Sequence, residues 1–413
     1  MNSMNDTGSF AKVSSTNSAG SFATINCPGA IEIQPPREHV KKQAATIGVL
    51  LMNTGTPDEP SEEAIRRYLA EFMSDTMLFT APPIIWKQVL KRKILPNRPK
   101  VTLPKYQRLW TDDGFPFVLT SQKQARMLEE ALNQQAEGTA SAETAEQITF
   151  GTPTQAISDS AAQITPNVPA QAIESKSPTY HVRLAMRYGN PSILSQLDEL
   201  QKLHCEEVVL LPLYPQEAIS CTGTCLAECH RMLEKLQLET GWNPQVTVVR
   251  SFYNLPSYRK ALSDSIRRAW TPSENSALVM SFHSTLVSHV VHGGDPYELQ
   301  TIETRSNLEN DLNLERFSIK LGYHSQMKKK GWIGPFTDDI LGDLATKGVT
   351  DVCVVCPGFV TDCMETTLDI AEEKCNAFLQ HAPEGSVFTY VPCLNDDPAL
   401  IEILADAIAR ARD

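Results

Sequence analysis

The sequence predicts an α/β fold made of two similar, doubly wound (Rossmann-like) lobes of parallel sheet. Short apolar runs rich in Val, Ile and Leu alternate along the chain with longer helical patterns, and this alternation is typical of parallel strands joined by helices. Eight such runs fall into two groups, which suits two sheets. A chain of 413 residues is long enough to bury the cores of two lobes.

The predicted strands are short and apolar, as expected for strands that are buried on both faces. In chain order they are Ile47–Met52, Tyr180–Met186, Val208–Leu211, Val246–Val249, Ala277–Phe282, Phe317–Tyr323, Val352–Val355 and Val387–Val391. Among the predicted helices, Glu62–Phe72 follows Ser61 and Gln122–Leu132 follows Ser121. Serine is a favourable N-cap residue, so both serines are expected to cap their helices.

Two segments have compositions that favour disorder over packing. Residues 1–44 are rich in Ser, Thr, Gly and Asn, and residues 137–178 are rich in Ala, Ser, Thr, Gln and Pro. Neither has the periodicity or the aromatic content that would offset the entropy of ordering. We therefore expect a disordered extension over residues 1–44 and a low-complexity insertion over residues 137–178. The first lobe is expected over residues 45–222, the second over residues 223–394, and a C-terminal segment over residues 395–413.

The overall charge and hydropathy exclude several classes of protein. The formal net charge of −12 argues against nucleic acid as a general partner. No apolar run approaches the roughly 18 residues of a membrane span, and the N-terminal MNSMNDTGSFAK lacks the pattern of a signal peptide. A cytoplasmic protein is expected, in which the ten cysteines are mostly reduced thiols.

A row of carboxylates follows the apolar run Val352–Val355. After the Pro357-Gly358 break, a predicted helix carries Glu365, Asp369 and Glu373 at i, i+4 and i+8, a spacing that places them on one helix face. One interpretation is a solvated helix face. The other is a lane for a cation or for protons, because open α/β sheets bind ligands beyond the carboxyl ends of their strands.

A histidine ends the apolar run that begins at Ala277. His283 follows Ser281 and Phe282, and it is either a packed, hydrogen-bonded residue or a proton acceptor, since imidazole titrates near neutral pH. A histidine and a carboxylate helix that follow successive strands are expected to face one another across a cleft.

An ordered set of motifs resembles the ferrochelatase family from about Thr46 to the C-terminus, with one interrupting insertion. The motifs are GVLLMNTGTP at Gly48–Pro57, EEAIRRYLAEFMSD at Glu62–Asp75, KYQRLW at Lys105–Trp110, MRYGNP at Met186–Pro191, LPLYPQ at Leu211–Gln216, SFH at Ser281–His283, GDPY at Gly294–Tyr297, WIGPFTD at Trp332–Asp338 and CPGFVTDCMET at Cys356–Thr366. The resemblance implies an enzyme that inserts Fe²⁺ into protoporphyrin IX to form protohaem, releasing two protons, in haem biosynthesis. It also implies a porphyrin cleft between the two lobes and a C-terminal helix, Ala399–Arg412, that packs on the first lobe.

The resemblance also implies roles for individual residues. His283 and Glu365 match the catalytic and metal-binding positions, and Asp369 and Glu373 continue the acidic row as a path for ions or protons. Arg187 is expected to bind a porphyrin propionate or to form a structural ion pair. The residues that match porphyrin-binding motifs, some of them equally suited to core packing, are Met52, Tyr106, Arg187, Tyr188, Trp332 and Phe359.

Departures from the family pattern leave alternative functions open. The segment Ser284–Gly293 lacks the usual proline, and residues 324–330 lack a usual glycine. One alternative is an impaired paralogue that binds porphyrin or haem as a carrier or regulator. Another is a chelatase for a different tetrapyrrole or metal, because one fold hosts several functions.

A basic and apolar segment, Thr76–Thr111, contains no acidic residue before position 112. It is expected to be a solvated surface, to contact the inner face of a membrane peripherally, or to supply positive charge to the porphyrin carboxylates. The resemblance supports the last of these, as a lip over the pocket. Cys221, Cys225 and Cys229 have a helical spacing, but buried thiols are expected there and not a [2Fe–2S] cluster. Fe²⁺ is the expected substrate, and no cofactor is expected to be required.

Overall fold

Two four-stranded parallel sheets form the framework of the protein. A computed structural model describes residues 45–79, 82–148, 177–316, 318–325 and 330–413, all within one compact unit, Glu38–Asp413. The first sheet has the order β2-β1-β3-β4 and the second the order β6-β5-β7-β8. The strands are β1 (Thr46–Asn53), β2 (Thr179–Met186), β3 (Glu207–Pro212), β4 (Gln245–Val248), β5 (Ser276–His283), β6 (Lys320–His324), β7 (Asp351–Val355) and β8 (Val387–Val391).

The two sheets share one topology, so the predicted pair of similar α/β lobes is confirmed. Each of the eight predicted runs corresponds to a strand, with bounds shifted by a few residues. Phe317, the first residue of one predicted run, lies outside the described residues, and β6 begins at Lys320. All strand pairs are parallel, so the carboxyl ends of neighbouring strands meet at one edge of each sheet.

Helices connect the strands and cover both faces of each sheet. The α-helices are α1 (Glu62–Phe72), α2 (Pro83–Val89), α3 (Arg98–Leu109), α4 (Pro116–Ile148), α5 (Ile193–Lys202), α6 (Thr224–Thr240), α7 (Pro256–Ala269), α8 (Val287–Gly293), α9 (Tyr297–Asp311), α10 (Thr337–Thr346), α11 (Cys375–His381) and α12 (Pro398–Arg412). Within the described ranges there are also π-helices at Leu90–Ile94, Ile219–Gly223 and Glu365–Lys374. Every helix in these ranges is too short or too polar to cross a membrane.

The two serines expected to cap helices behave differently. Ser61 Oγ accepts a hydrogen bond from the backbone N–H of Ala64 at 3.1 Å, as an N-cap should. Ser121 instead lies inside α4, where its hydroxyl donates to the carbonyl of Phe117 at 2.8 Å. That helix begins earlier, at Pro116, because proline suits the first helical position and has no N–H to leave unpaired. The predicted cap at Ser121 was therefore wrong.

The boundary between the lobes lies later than predicted. Strand β4 belongs to the first sheet, so the chain passes from one sheet to the other between Val248 and Ser276. The predicted boundary at residues 222 and 223 instead falls inside the π-helix Ile219–Gly223. Residues on both sides of it pack in the core of the first lobe, so no linker exists there.

The first part of the predicted insertion, residues 137–148, is helical, because α4 continues to Ile148. Alanine, glutamate and glutamine favour helix, and extending an existing helix avoids the cost of nucleation. Residues 149–176 of the predicted insertion and the predicted extension at residues 1–44 lie outside the described residues.

The C-terminal helix α12 packs the end of the chain against the rest of the protein. It packs against α4 of the first lobe and against α7, with Leu400, Ile403 and Leu404 fully buried. Near its end, the guanidinium of Arg412 donates to both carboxylate oxygens of Glu207 at 2.8 and 3.0 Å. The segment therefore lies against α4 of the first lobe and also against α7.

Candidate active site

His283 is the last residue of β5 and lies beside His324, the last residue of β6, in the sheet register. Its Nδ1 is 2.7 Å from the carbonyl oxygen of Ser284. A carbonyl can only accept a hydrogen bond, so Nδ1 carries the hydrogen. In the neutral ring, Nε2 then holds the lone pair that can accept a proton or bind a metal ion.

The loop that follows His283 is anchored on both sides. Ser284 Oγ donates to the carbonyl of Ile333 at 2.8 Å, and the N–H of Ile333 donates to the carbonyl of Thr285 at 2.9 Å. On the other side, the Tyr297 hydroxyl donates to the carbonyl of His283 at 3.0 Å. The segment that departs from the family pattern therefore holds His283 in place through the WIGPFTD and GDPY motifs.

His324 is a second histidine at this edge, and it was not predicted from the sequence to belong to the site. Its ring stacks on Phe359 with centroids 5.8 Å apart and lies 5.9 Å from the ring of His283. Nδ1 is 2.8 Å from Ser281 Oγ. Burial, reinforced by the nearby His283 and Lys374, holds the pKa of His324 well below its usual range. The side chain is therefore neutral near pH 7.

The acidic row lies on the π-helix Glu365–Lys374. A π-helix has i→i+5 hydrogen bonds and is frequent at functional sites. The side chain of Glu373 is 56% exposed and that of Asp369 is 26% exposed, so the row runs from solvent into the protein. Ser325 Oγ donates to Asp369 Oδ2 at 3.4 Å. Because Ser325 follows His324, the row reaches the strand edge where His283 lies.

Glu365 lies where the two lobes meet. Burial raises the pKa of Tyr106 on α3, and the charge of Glu365 adds to that increase. The same two causes raise the pKa of the Cys363 thiol, which also hydrogen bonds to Glu365. A tyrosine of the first lobe and a thiol of the second therefore lie close to this carboxylate.

Ion pairs between α3 and the π-helix also join the lobes. Lys105 Nζ is 3.0 Å from Asp369 Oδ1 and 2.6 Å from Glu373 Oε1. Arg108 pairs with Glu372 on the same π-helix. Burial raises the pKa of Asp369, while the hydrogen bond from Lys105 acts in the opposite direction. The basic segment was recognised in the sequence, but its pairing with the acidic row was not predicted.

Comparison with known proteins identifies the family. A family model described as ferrochelatase matches residues 46–157 and 139–412. The chain belongs to the ferrochelatase family. The family predicted from the sequence is therefore confirmed, and with it the class of metal chelatases.

Several curated ferrochelatases resemble the chain over most of its length. A ferrochelatase of Bordetella pertussis is 34% identical over 365 residues, which are 88% of this chain and 88% of the relative. A ferrochelatase of Chromobacterium violaceum is 35% identical over 366 residues, again 88% of each chain. The solved structure of SirB from Bacillus subtilis with Fe³⁺ is 12% identical, with a TM-score of 0.44 over 56% of this chain and 82% of that chain. That last likeness is too weak to bear on function.

Two residues in a ferrochelatase motif, Arg187 and Tyr188, have internal partners. Arg187 pairs with Asp75 at 2.5 Å and donates to the carbonyl of Thr224 at 2.9 Å. The Tyr188 hydroxyl donates to Asp75 at 2.8 Å, and its side chain is almost fully buried. Of the two alternatives for Arg187, the structure contains the structural ion pair and not a free guanidinium for a propionate.

Of the three apolar candidates for the porphyrin pocket, one is a core residue and two lie beside the site. Met52 is fully buried in the core of the first lobe, with its sulfur 3.1 Å from Cys229 Sγ, so it is a core residue and not a pocket wall. Trp332 and Phe359 are half-buried. Trp332 bridges to Leu286 in the loop that follows His283, and Phe359 stacks on His324. These two aromatic residues, with Tyr106, remain beside the candidate site.

The cysteines at 221, 225 and 229 do not gather into a ligand set. Cys225 and Cys229 are fully buried in α6, and burial raises the pKa of Cys221 to about 12. In the part of the chain that the structure describes, no three His, Cys, Asp or Glu side chains are grouped so as to hold a metal ion. That no iron–sulfur cluster or other cofactor is required stays a prediction.

Proposed function

We propose that this member of the ferrochelatase family inserts Fe²⁺ into protoporphyrin IX, forms protohaem and releases two protons. The observation that carries the proposal is the geometry of His283. Its Nδ1–H is held by a backbone carbonyl, which leaves the lone pair of Nε2 available, and its strand edge adjoins the π-helix that bears Glu365.

The reaction asks the protein to remove protons and to deliver a metal ion. Two pyrrole N–H groups of the porphyrin must lose their protons as iron takes their place. His283 Nε2 accepts a proton from the ring, or binds the iron in passing, and Glu365 is the opposing carboxylate. Asp369 and Glu373 continue from Glu365 towards solvent and form the path for ions or protons.

The porphyrin is assigned to the junction of the two lobes. Flat, apolar ligands bind in clefts lined by aromatic side chains, and Tyr106, Trp332 and Phe359 are the half-buried aromatic residues beside His283 and Glu365. Arg187 and Tyr188 are both held by Asp75. Binding of the propionates is assigned to the basic residues of Thr76–Thr111 other than Lys105 and Arg108, which pair with the π-helix, and not to Arg187.

The test is anaerobic insertion of Fe²⁺ into protoporphyrin IX, followed by loss of porphyrin fluorescence and rise of haem absorbance. We expect turnover by the wild type, and a decrease of at least about 100-fold for His283→Ala, because general acid–base groups contribute about 10²–10⁴ in rate. Glu365→Gln, which keeps the shape of the side chain, should also lose most of its activity.

Matched variants separate loss of function from loss of fold. His292→Ala and Glu384→Gln replace exposed side chains and should retain wild-type turnover. Tight porphyrin binding without haem formation would contradict the enzyme and would indicate a carrier or regulator. Faster insertion with coproporphyrin or with another divalent metal would instead identify a chelatase of different specificity.

We also propose that α2 and the π-helix after it contact a membrane surface peripherally. Ile84 and Ile85 on α2 are 83% and 62% exposed. Four basic residues follow them closely, namely Lys87, Lys91, Arg92 and Lys93. Exposed apolar side chains with adjacent positive charge are the combination by which a helix binds an anionic lipid surface.

Co-sedimentation with phosphatidylglycerol vesicles tests this contact. The double variant Ile84→Glu with Ile85→Glu should lose vesicle binding, while insertion of iron in detergent should continue. Leu238→Glu is the control, because Leu238 is 88% exposed on α6 outside the basic segment. Equal binding by all three proteins would contradict the proposal, as would binding that resists high salt entirely.

A further inference from the structure

Two helices of different lobes meet at the acidic row through opposite charges. Lys105 on α3 contacts both Asp369 and Glu373, and Arg108, one turn further along α3, contacts Glu372. The Lys105–Asp369 and Arg108–Glu372 bonds each join residues that are 264 positions apart in the chain. The acidic row therefore has a set of cationic partners, built from the first lobe.

Lys105 lies where the row passes from solvent to the interior. Its side chain is 34% exposed, between the values of 56% for Glu373 and 26% for Asp369. The next residue on α3, Tyr106, lies near Glu365. Helix α3 consequently covers the row along its length, and the ammonium spans its two outer carboxylates.

The ammonium is charged at neutral pH and neutralises part of the row. Partial burial lowers the pKa of Lys105, but hydrogen bonds to Glu373 and Asp369 outweigh that effect and bring the pKa above its usual range. Two carboxylates four positions apart on a helix repel one another, and an ammonium between them relieves that repulsion. A metal ion that is drawn to these oxygens must compete with Lys105 for them.

We propose that Lys105 is the resident counter-ion of the acidic row and that an incoming divalent metal ion displaces it. This inference rests on the proposed function, because Lys105 has this role only if the row conveys the metal. Lys105 is a positioning residue, since it acts through Asp369 and Glu373 and does not contact the reacting atoms. By holding those oxygens, it sets the concentration of metal that the enzyme needs.

The test compares Lys105→Met, which removes the charge, with Lys105→Arg, which keeps it. For Lys105→Met we expect the KM for Fe²⁺ to fall about tenfold, since removing one unit charge a few ångströms from a dication changes its binding by that order even in a water-like dielectric. The kcat and the KM for porphyrin should stay unchanged. Lys105→Arg should restore the wild-type KM for iron.

A second measurement does not depend on catalysis. Binding of Mn²⁺ to the porphyrin-free protein, followed by the loss of the free-ion signal in paramagnetic resonance, should be tighter in Lys105→Met by a similar factor. Adding Asp369→Asn to that variant should abolish the gain. Arg108→Met is the matched control, because it breaks the neighbouring ion pair on the same two helices without touching Asp369 or Glu373.

The outcomes distinguish this role from a structural one. If Lys105→Met lowers the melting temperature as Arg108→Met does, yet leaves the KM for iron and the Mn²⁺ affinity unchanged, Lys105 only ties the lobes together and the inference is overturned. Absence of turnover in the wild type contradicts the proposed function itself. Wild-type turnover with one common KM for iron in all variants overturns only the role of Lys105.

Discussion

Hydrogen bonds hold His283 both at its ring and at its backbone carbonyl. His283 ends β5 and Glu365 begins the π-helix Glu365–Lys374, and both were assigned from their motifs. Two roles stayed open for Arg187, because a sequence motif does not show which residue its guanidinium will contact. Only the folded chain brings Asp75, which is 112 positions away, to 2.5 Å from it.

The buried His324 makes the free energy of unfolding depend on pH. Its pKa is lowered well below 6.5 by burial, with contributions from His283 and Lys374, whereas in the unfolded chain it titrates near its usual value. Between the folded and the unfolded pKa of His324, the unfolded state binds more protons than the folded state. The free energy of unfolding therefore falls as the pH falls through that interval. The slope from this residue is at most about 1.4 kcal/mol per pH unit.

The substitution His324→Gln should remove this part of the acid sensitivity. Urea unfolding from about pH 7 down to about pH 5 should show a shallower decline in the free energy of unfolding for the variant, because that interval brackets the unfolded pKa. His381→Gln serves as the control, since His381 is exposed, and should follow the wild type. An identical decline in all three proteins would mean that His324 does not titrate differently in the folded state.

At the scale of helices and strands, the pattern of apolar residues predicted which elements exist more accurately than it predicted where they begin and end. Strands were recognised because apolar residues in a buried parallel strand form short continuous runs. The start of α4 was missed because Pro116 begins the helix five residues before Ser121. The π-helix could not be distinguished from an α-helix, since a carboxylate every fourth residue suits either one.

Alanine substitutions at Ser61 and Ser121 measure the difference between a helix cap and an internal helix position. Ser61→Ala removes the oxygen that accepts the Ala64 N–H, and loss of an N-cap costs about 1 kcal/mol of unfolding free energy, within a range of about 0.5–2. Ser121→Ala places the best helix former inside α4 and should change the free energy by less than about 0.5 kcal/mol. Urea denaturation of both variants beside the wild type provides the comparison. Equal losses would show that Ser121 also stabilises its helix through the bond to Phe117.

At the scale of the whole molecule, the lobes are joined more extensively than their sequence ranges suggest. One cluster of buried apolar residues contains Val49 and Leu211 of the first sheet together with Leu278 and Val355 of the second. The ion pairs of Lys105 and Arg108 cross between the lobes as well. Such contacts connect residues hundreds of positions apart, and neither composition nor periodicity contains information about them.

Helix α12 joins the two lobes because it contacts a helix of each. It lies against α4, which packs on β2 of the first sheet, and against α7, which packs on β8 of the second. Leu404 is fully buried at that position and belongs to the shared core cluster. A cavity at Leu404 should therefore weaken both lobes and not only the one that α12 was predicted to cover.

We expect Leu404→Ala to lower the free energy of unfolding by about 2–5 kcal/mol, because a buried leucine loses both its transfer free energy and its packing. Glu402→Ala, at an exposed position of the same helix, should change it by no more than about 0.5 kcal/mol. Hydrogen exchange supplies the decisive measurement, since it reports the opening of individual strands. Faster exchange in both β1 and β7 of Leu404→Ala is the expected result, because the two sheets share the core that the leucine fills. Faster exchange in β1 alone would mean that the second lobe folds independently of α12.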